Sequence, residues 1–180
     1  MEQQQYLVLV NEQDEPVGTM EKMEAHRKAL LHRAFSVFLF NSKGEMLLQR
    51  RALNKYHSGG LWTNTCCSHP YPDETPHAAA VRRLQEELGL TANIEPAFSF
   101  IYKAVLDNEL TEYEYDHVFV GKYDGAVVLN EEEVGDYCYK SMSDLLDHVN
   151  HHPAQYTEWF KIALPLLGNY LKENPAYIHG

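Results

Sequence analysis

At 180 residues the chain can fill one core and is short for two, so a single domain over residues 1–180 is expected. Its 15 basic and 26 acidic residues give a formal charge of −11, which argues against general affinity for nucleic acid or for a membrane surface. Three cysteines make no disulfide framework, no run is apolar enough to span a bilayer, and the opening MEQQQYLVLV lacks a signal's positive region, so a reducing, cytoplasmic setting is expected.

Tyr6 to Val10 reads as a strand, followed by a polar turn around Asp14 to Gly18. Ala34 to Phe40 and Met46 to Arg50 are apolar runs joined by Asn41-Ser42-Lys43-Gly44, a strong hairpin signal. A loop through Ser58-Gly59-Gly60 leads into an extended run from Leu61 to Cys66. A helix then follows, with Thr75 as its cap, Pro76 in its first turn and Gly89 at its end. Phe98 to Val105 and Thr111 to Val120 read as a strand pair around Asp107-Asn108, with shorter strands at Val127 to Leu129 and Tyr137 to Lys140. The tail is helical: Ser143 caps one segment, and another runs from about Thr157 until Pro165 interrupts it. Strands around a central helix, with helices at the end, imply an α+β sandwich.

The helix after Thr75 carries the strongest motif. At about 100° per residue, Val81, Leu84 and Leu88 form its apolar stripe. Arg83 and Glu87 pair one turn apart along an edge of that stripe, better placed to face a cleft than Arg82 and Glu86, which pair further toward solvent. Glu74, Arg82, Leu84, Glu86, Glu87, Gly89 and Leu90 fall on the positions of the Nudix box, G-x5-E-x7-R-E-U-x-E-E-x-G-U, where U is apolar. Ser68 stands in place of the first glycine, and Arg83 in place of the glutamate that follows the arginine. The box points to a diphosphate substrate with a divalent metal. The departures point away from a hydrolase.

A second constellation is His26, His32, His69, Glu112 and Glu114. In a strand, Glu112 and Glu114 project to one face about 7 Å apart, so they can converge on one cation. Imidazole suits transition metals, and carboxylates admit manganese or magnesium as well as zinc. His148, His151, His152 and His179 read as surface or tail residues. Alternation puts Cys66 and Cys67 on opposite faces; either reads equally as a buried small hydrophobe. Arg50, Arg51 and Lys55 form a basic cluster against the acidic background, either a solvated hairpin end or a phosphate clamp. From periodicity alone, Tyr102 and Trp159 are most simply core aromatics.

The run TNTCCSHP, the box with Arg83, the EYE motif at 112–114 and RRALNK at 50–55 together resemble type I isopentenyl diphosphate isomerase. The motifs agree in order and spacing from about Tyr6 to the region of Trp159. The resemblance implies a Nudix-like α/β/α sandwich with a mixed central sheet and C-terminal helices. It also implies interconversion of isopentenyl and dimethylallyl diphosphate in isoprenoid biosynthesis, by a monomer or weak homodimer. By the same resemblance, His26, His32, His69, Glu112 and Glu114 hold one divalent metal (manganese, zinc or magnesium). Cys67 and Glu114 are the acid/base pair on opposite faces of the alkene. Glu87 and the carbonyl of Cys67 hold a magnesium that comes with the diphosphate. Lys22, Arg51, Lys55 and Arg83 grip the phosphates, and Tyr102 and Trp159 line the hydrocarbon end. The competing expectation, a Nudix hydrolase of a nucleoside diphosphate derivative, is disfavoured by Arg83 and by the Cys67/His69 pair.

Overall fold

The computed structural model describes residues 4–179; residues 1–3 and 180 of the expected domain lie outside them. In chain order the elements are β1 (Tyr6–Val10), β2 (Pro16–Glu21), α1 (Lys22–Arg27), β3 (His32–Phe40), β4 (Met46–Arg51), β5 (Trp62–Thr63) and β6 (Cys66–Ser68). They continue with α2 (Pro76–Leu88), β7 (Ile94–Val105), β8 (Thr111–Lys122), β9 (Val134–Lys140), α3 (Met142–His151) and α4 (Glu158–Glu173). Among the described residues, none of these helices is long and apolar enough to cross a membrane.

The strand β3 is the axis of the sheet. It pairs with β8 in parallel from His32↔Glu114 to Phe40↔Lys122, and with β6 antiparallel through Ser36↔Cys67. Because successive side chains point to opposite faces, its apolar run feeds two cores. Phe35, Val37 and Leu39 pack with Ala79, Ala80, Leu84 and Leu88 of α2, whereas Phe38 and Phe40 pack with Phe160, Ala163, Leu164 and Leu167 of α4. The α/β/α sandwich with a mixed sheet is therefore the architecture. The alternation also separates the neighbouring cysteines, Cys66 joining the α2 core and Cys67 lying against the α4 core.

Several local expectations need correction. The polar turn ends at Gly18 in the expectation, but β2 begins at Pro16 and leads directly into α1, which the sequence reading lacks. The turn at Asn41 to Gly44 forms, with the Asn41 side chain accepting from the Lys43 and Glu45 amides at 3.1 and 2.9 Å. Its strands then part after the single pair Phe40↔Met46, because β3 turns to β8 and β6 while β4 pairs with β9 and β5. The Leu61 to Cys66 run is two short strands, β5 and the start of β6. Val127 to Leu129 is not a strand: the Val128 amide donates to the Leu88 carbonyl at 2.9 Å, sealing the end of α2. Ser141, not Ser143, caps α3, its hydroxyl accepting from the Asp144 amide at 3.2 Å. Nor does Pro165 stop α4, which continues to Glu173. The buried residues Phe160, Ala163, Leu164, Leu167 and Leu171 lie on both sides of the proline and hold the two halves on one core, which outweighs the one lost hydrogen bond.

Leu84 is wholly buried in the core that seats α2. Leu84→Ala is expected to cost about 2–5 kcal/mol of unfolding free energy, from lost transfer energy and a residual cavity. Urea unfolding followed by circular dichroism measures it. A loss near zero would mean that this stripe does not hold the helix.

Candidate active site

Register delivers the first half of the site. Glu112 and Glu114 lie on one face of β8, and Glu114 is the cross-strand partner of both His32 on β3 and Tyr102 on β7. The short helix α1 adds His26, and the strand end at Ser68 adds His69. Donor atoms of His26, His32, His69 and Glu112 all lie within 4.8 Å of one another, and each of these residues is buried. His26 Nδ1 sits 2.6 Å from the Lys22 carbonyl, and His32 Nδ1 2.8 Å from that of Leu30. A carbonyl only accepts, so each Nδ1 carries a proton and both Nε2 atoms point inward at the carboxylates.

Those Nε2 atoms and Glu112 Oε2 have no hydrogen-bond partner. Burial opposes ionisation of Glu112, but the imidazoles of His26, His32 and His57 outweigh it and hold its carboxyl well below the usual range. His32 is likewise opposed by burial, yet Glu112 and Glu114 pull it up to about 10. Burial pushes His69 down to about 4 despite Glu114, keeping it neutral. Nitrogen and carboxylate donors converging in a buried pocket fit a divalent cation, which would compete with the His32 proton for the same carboxylates.

The second half surrounds α2. Glu87 is almost fully buried; it accepts from Arg83 at 2.7 Å, Gln49 at 3.0 Å and the Cys66 thiol at 3.1 Å. Arg83 also donates to Glu86 at 2.8 Å and approaches Glu133 at 3.4 Å. Lys55 Nζ lies 2.5 Å from Glu133, and Lys22 Nζ 4.2 Å from the centroid of the Tyr56 ring. Burial, with the neighbouring Lys55 and Arg83 cations, lowers Lys22 to about 8. Further round the helix, Arg82 grips Glu74 through two contacts of 2.7 Å and stacks 4.0 Å from the Tyr71 ring. The inner and outer pairings expected from helical spacing are both present, and the outer one is largely a brace.

Between these halves lies a cleft. Its walls bring together Lys22, Arg51, Lys55, Cys67, His69, Arg83, Glu87, Tyr102, Glu112, Glu114 and Trp159, every expected site residue except His26 and His32, which sit fully buried behind it. Glu114 accepts from the Tyr102 hydroxyl and lies 2.7 Å from His69 Nε2. Burial pushes the Cys67 thiol well above its ordinary range, against the pull of Arg51, so it holds its proton. The Arg51 guanidinium lies 5.2 Å from the centroid of the Trp159 ring, so this aromatic lines the cleft as well as the core.

Residues that the sequence reading missed also line the cleft: Gln5, Tyr56, His57 and Glu133, with Gln49 beneath it. Glu133 was hidden in the acidic run 131–133 and Gln49 in an apolar strand. His57 lies two residues past RRALNK, and its position near that motif was the available signal.

Residues 30–160 match the family model described as NUDIX domain. A crystal structure from Deinococcus radiodurans aligns with TM-score 0.67 at 22% identity over 82% of this chain and 90% of its own. The MutT protein of Methanosarcina mazei aligns with TM-score 0.64 at 22% identity over 80% and 95%. At that distance these establish the fold alone. Far more similar is "Isopentenyl-diphosphate Delta-isomerase 2" of Photorhabdus laumondii, 51% identical over 86% of this chain and 88% of the relative. "Isopentenyl-diphosphate Delta-isomerase" of Pectobacterium atrosepticum is 48% identical over 91% and 92%. With such coverage in both directions, the chain belongs to the isopentenyl-diphosphate Delta-isomerase family, built on a NUDIX domain.

Proposed function

We propose that this chain is an enzyme that interconverts isopentenyl diphosphate and dimethylallyl diphosphate, and that the cleft between β6, β8 and α2 is its active site. Beyond family membership, one observation carries the assignment to this cleft. A half-buried, protonated thiol and a carboxylate tied to a histidine cluster line the same cleft as four basic side chains.

Moving the double bond needs one proton added at the terminal alkene carbon and one removed two carbons away. Neither the substrate's formula nor its oxidation state changes. The Cys67 thiol is the resting proton holder, and Glu114 is the acceptor, its two oxygens already taking contacts from Tyr102 and His69. In the reverse direction the roles exchange. Both groups are fixed before substrate arrives, and the near-complete burial of Tyr102, Trp159 and Glu114 keeps water from the tertiary cationic centre that develops between them. The Trp159 indole face can stabilise that charge by up to ~2 kcal/mol when desolvated. His26, His32, His69, Glu112 and Glu114 would hold one divalent metal (manganese, zinc or magnesium), which when bound fixes the orientation and proton affinity of Glu114.

Lys22, Arg51, Lys55 and Arg83 grip the diphosphate. Glu87 and the Cys67 carbonyl are the groups for a magnesium that accompanies it. Glutamate at position 83 would offer one more metal ligand; arginine offers a fork of donors that suits phosphate. Exchanging a ligand for a cation favours holding the diphosphate over cleaving it.

Two outcomes test this. Cys67→Ala is expected to lower turnover of isopentenyl diphosphate by at least about a hundredfold, the scale of a lost acid/base group, with pyrophosphate binding kept. Cys66→Ala, on the opposite face, is expected to be mild. Product formation followed by NMR decides it, and equal losses in both variants would remove Cys67 from the chemistry. Arg83→Glu would set a new carboxylate beside Glu86, Glu87 and Glu133, so substrate binding is expected to weaken by about tenfold or more, the cost of a lost charge-assisted contact, with no gain of hydrolysis. Measurable pyrophosphate or phosphate release by this variant would contradict the account.

A further inference from the structure

The loop between β4 and β5 places one imidazole where nothing in the mechanism above uses it. His57 is almost completely buried, with Nε2 3.2 Å from Glu112 Oε1, while its ring packs edge-on against Trp159 with centroids 5.5 Å apart. The approach to Oε1 is close but off the hydrogen-bond axis, and Nε2 has no other partner. On the far side of the ring, Nδ1 lies 3.1 Å from the Ser58 hydroxyl. A carboxylate facing Nε2 selects the tautomer with the proton there, so the Ser58 hydroxyl donates into Nδ1.

The backbone around His57 is held from several directions. Ser58 adopts φ +52°, a left-handed conformation unusual for a residue with a Cβ; it persists where surroundings over-determine it. The Ser58 amide donates to Asp107 Oδ1 at 3.0 Å, the Asn108 side chain donates to the Tyr56 carbonyl at 3.1 Å, and Arg51 donates to the His57 carbonyl at 3.1 Å. The hairpin tip between β7 and β8 and the phosphate-side arginine thus fix this ring against a carboxylate of the histidine cluster. Yet His57 is outside the tight group formed by His26, His32, His69 and Glu112. It contacts a ligand candidate without belonging to the donor set.

We infer that His57 is a positioning residue, whose Nε2–H faces Glu112 Oε1 at 3.2 Å and so orients the carboxylate for metal binding while its ring braces the indole of Trp159. The inference rests on the reading of Glu112 as a metal ligand. Partners of this kind around a ligand typically change metal affinity by about 10–100-fold when removed.

The test is Mn2+ binding to metal-stripped protein, by equilibrium dialysis, in four variants. His57→Leu removes the donor and is expected to raise the Mn2+ Kd by about tenfold or more. His57→Gln sets an amide N–H near the place of Nε2 and is expected to restore affinity to within about threefold of the parent, because orienting the Glu112 carboxylate depends on the N–H facing it and not on the ring. Ser58→Ala is expected to fall between them, and it carries the test if His57→Leu does not fold by circular dichroism. Parent-like affinity in His57→Leu and Ser58→Ala, or equal weakness in His57→Leu and His57→Gln, would overturn the inference. Glu112→Gln separates the two claims: parent-like Mn2+ affinity there would overturn the ligand reading itself, and the inference with it.

Discussion

Two carboxylates on one face of β8 are carried almost out of water, and most of the site follows from compensating them there. Glu112 and Glu114 are 4% and 6% exposed, and an uncompensated buried carboxylate is strongly disfavoured. The compensation arrives from four places in the chain: His26 on α1, His32 on β3, His57 on the loop after β4, and His69 at the end of β6. Each of those segments is anchored by its own backbone contacts, so the cluster is stiff before any cation enters. Asp116, two residues further along the same face, is handled differently: burial and the neighbouring Glu114 push its carboxyl up, and the Ser36 hydroxyl donates to it at 2.7 Å. One strand thus carries carboxylates of opposite character.

The diphosphate side shows the complementary problem. Lys22, Lys55 and Arg83 crowd together, and Glu87 and Glu133 sit among them. The carboxylates spread this positive charge and give the cations defined directions. The box helix is the common support, since its apolar stripe is locked in the core while its edge presents Arg83 and Glu87 to the cleft. The NUDIX frame supplies that helix, and the replacement at position 83 changes what its edge offers to a phosphate.

Much of this was legible in the amino-acid order, and the reasons differ by element. The box helix was readable because cap, stripe and terminating glycine are local, and Thr75 and Gly89 act as expected, Gly89 with φ +61°. The separation of Cys66 from Cys67 follows from strand alternation alone. The short helix α1 was not readable: six residues between strands carry no periodicity, and the Glu21 side chain that accepts from the Met23 and Glu24 amides is not among the usual caps. Nor was the parallel pairing of β3 with β8, which joins residues about eighty positions apart and sets His32 opposite Glu114. His57 and Glu133 escaped for the same reason, since their partners lie far away in sequence. Ending the helix at Pro165 failed because tertiary packing overrode a local rule.

The central claim is that this cleft adds and removes protons at carbon while leaving the diphosphate whole. It is tested most directly by incubating the protein with isopentenyl diphosphate, magnesium and manganese in deuterated water, and following products by mass spectrometry and NMR. The account predicts dimethylallyl diphosphate with solvent deuterium in a methyl group and no release of pyrophosphate or phosphate on the same timescale. Hydrolysis of the substrate without allylic product, or allylic product free of deuterium, would contradict it.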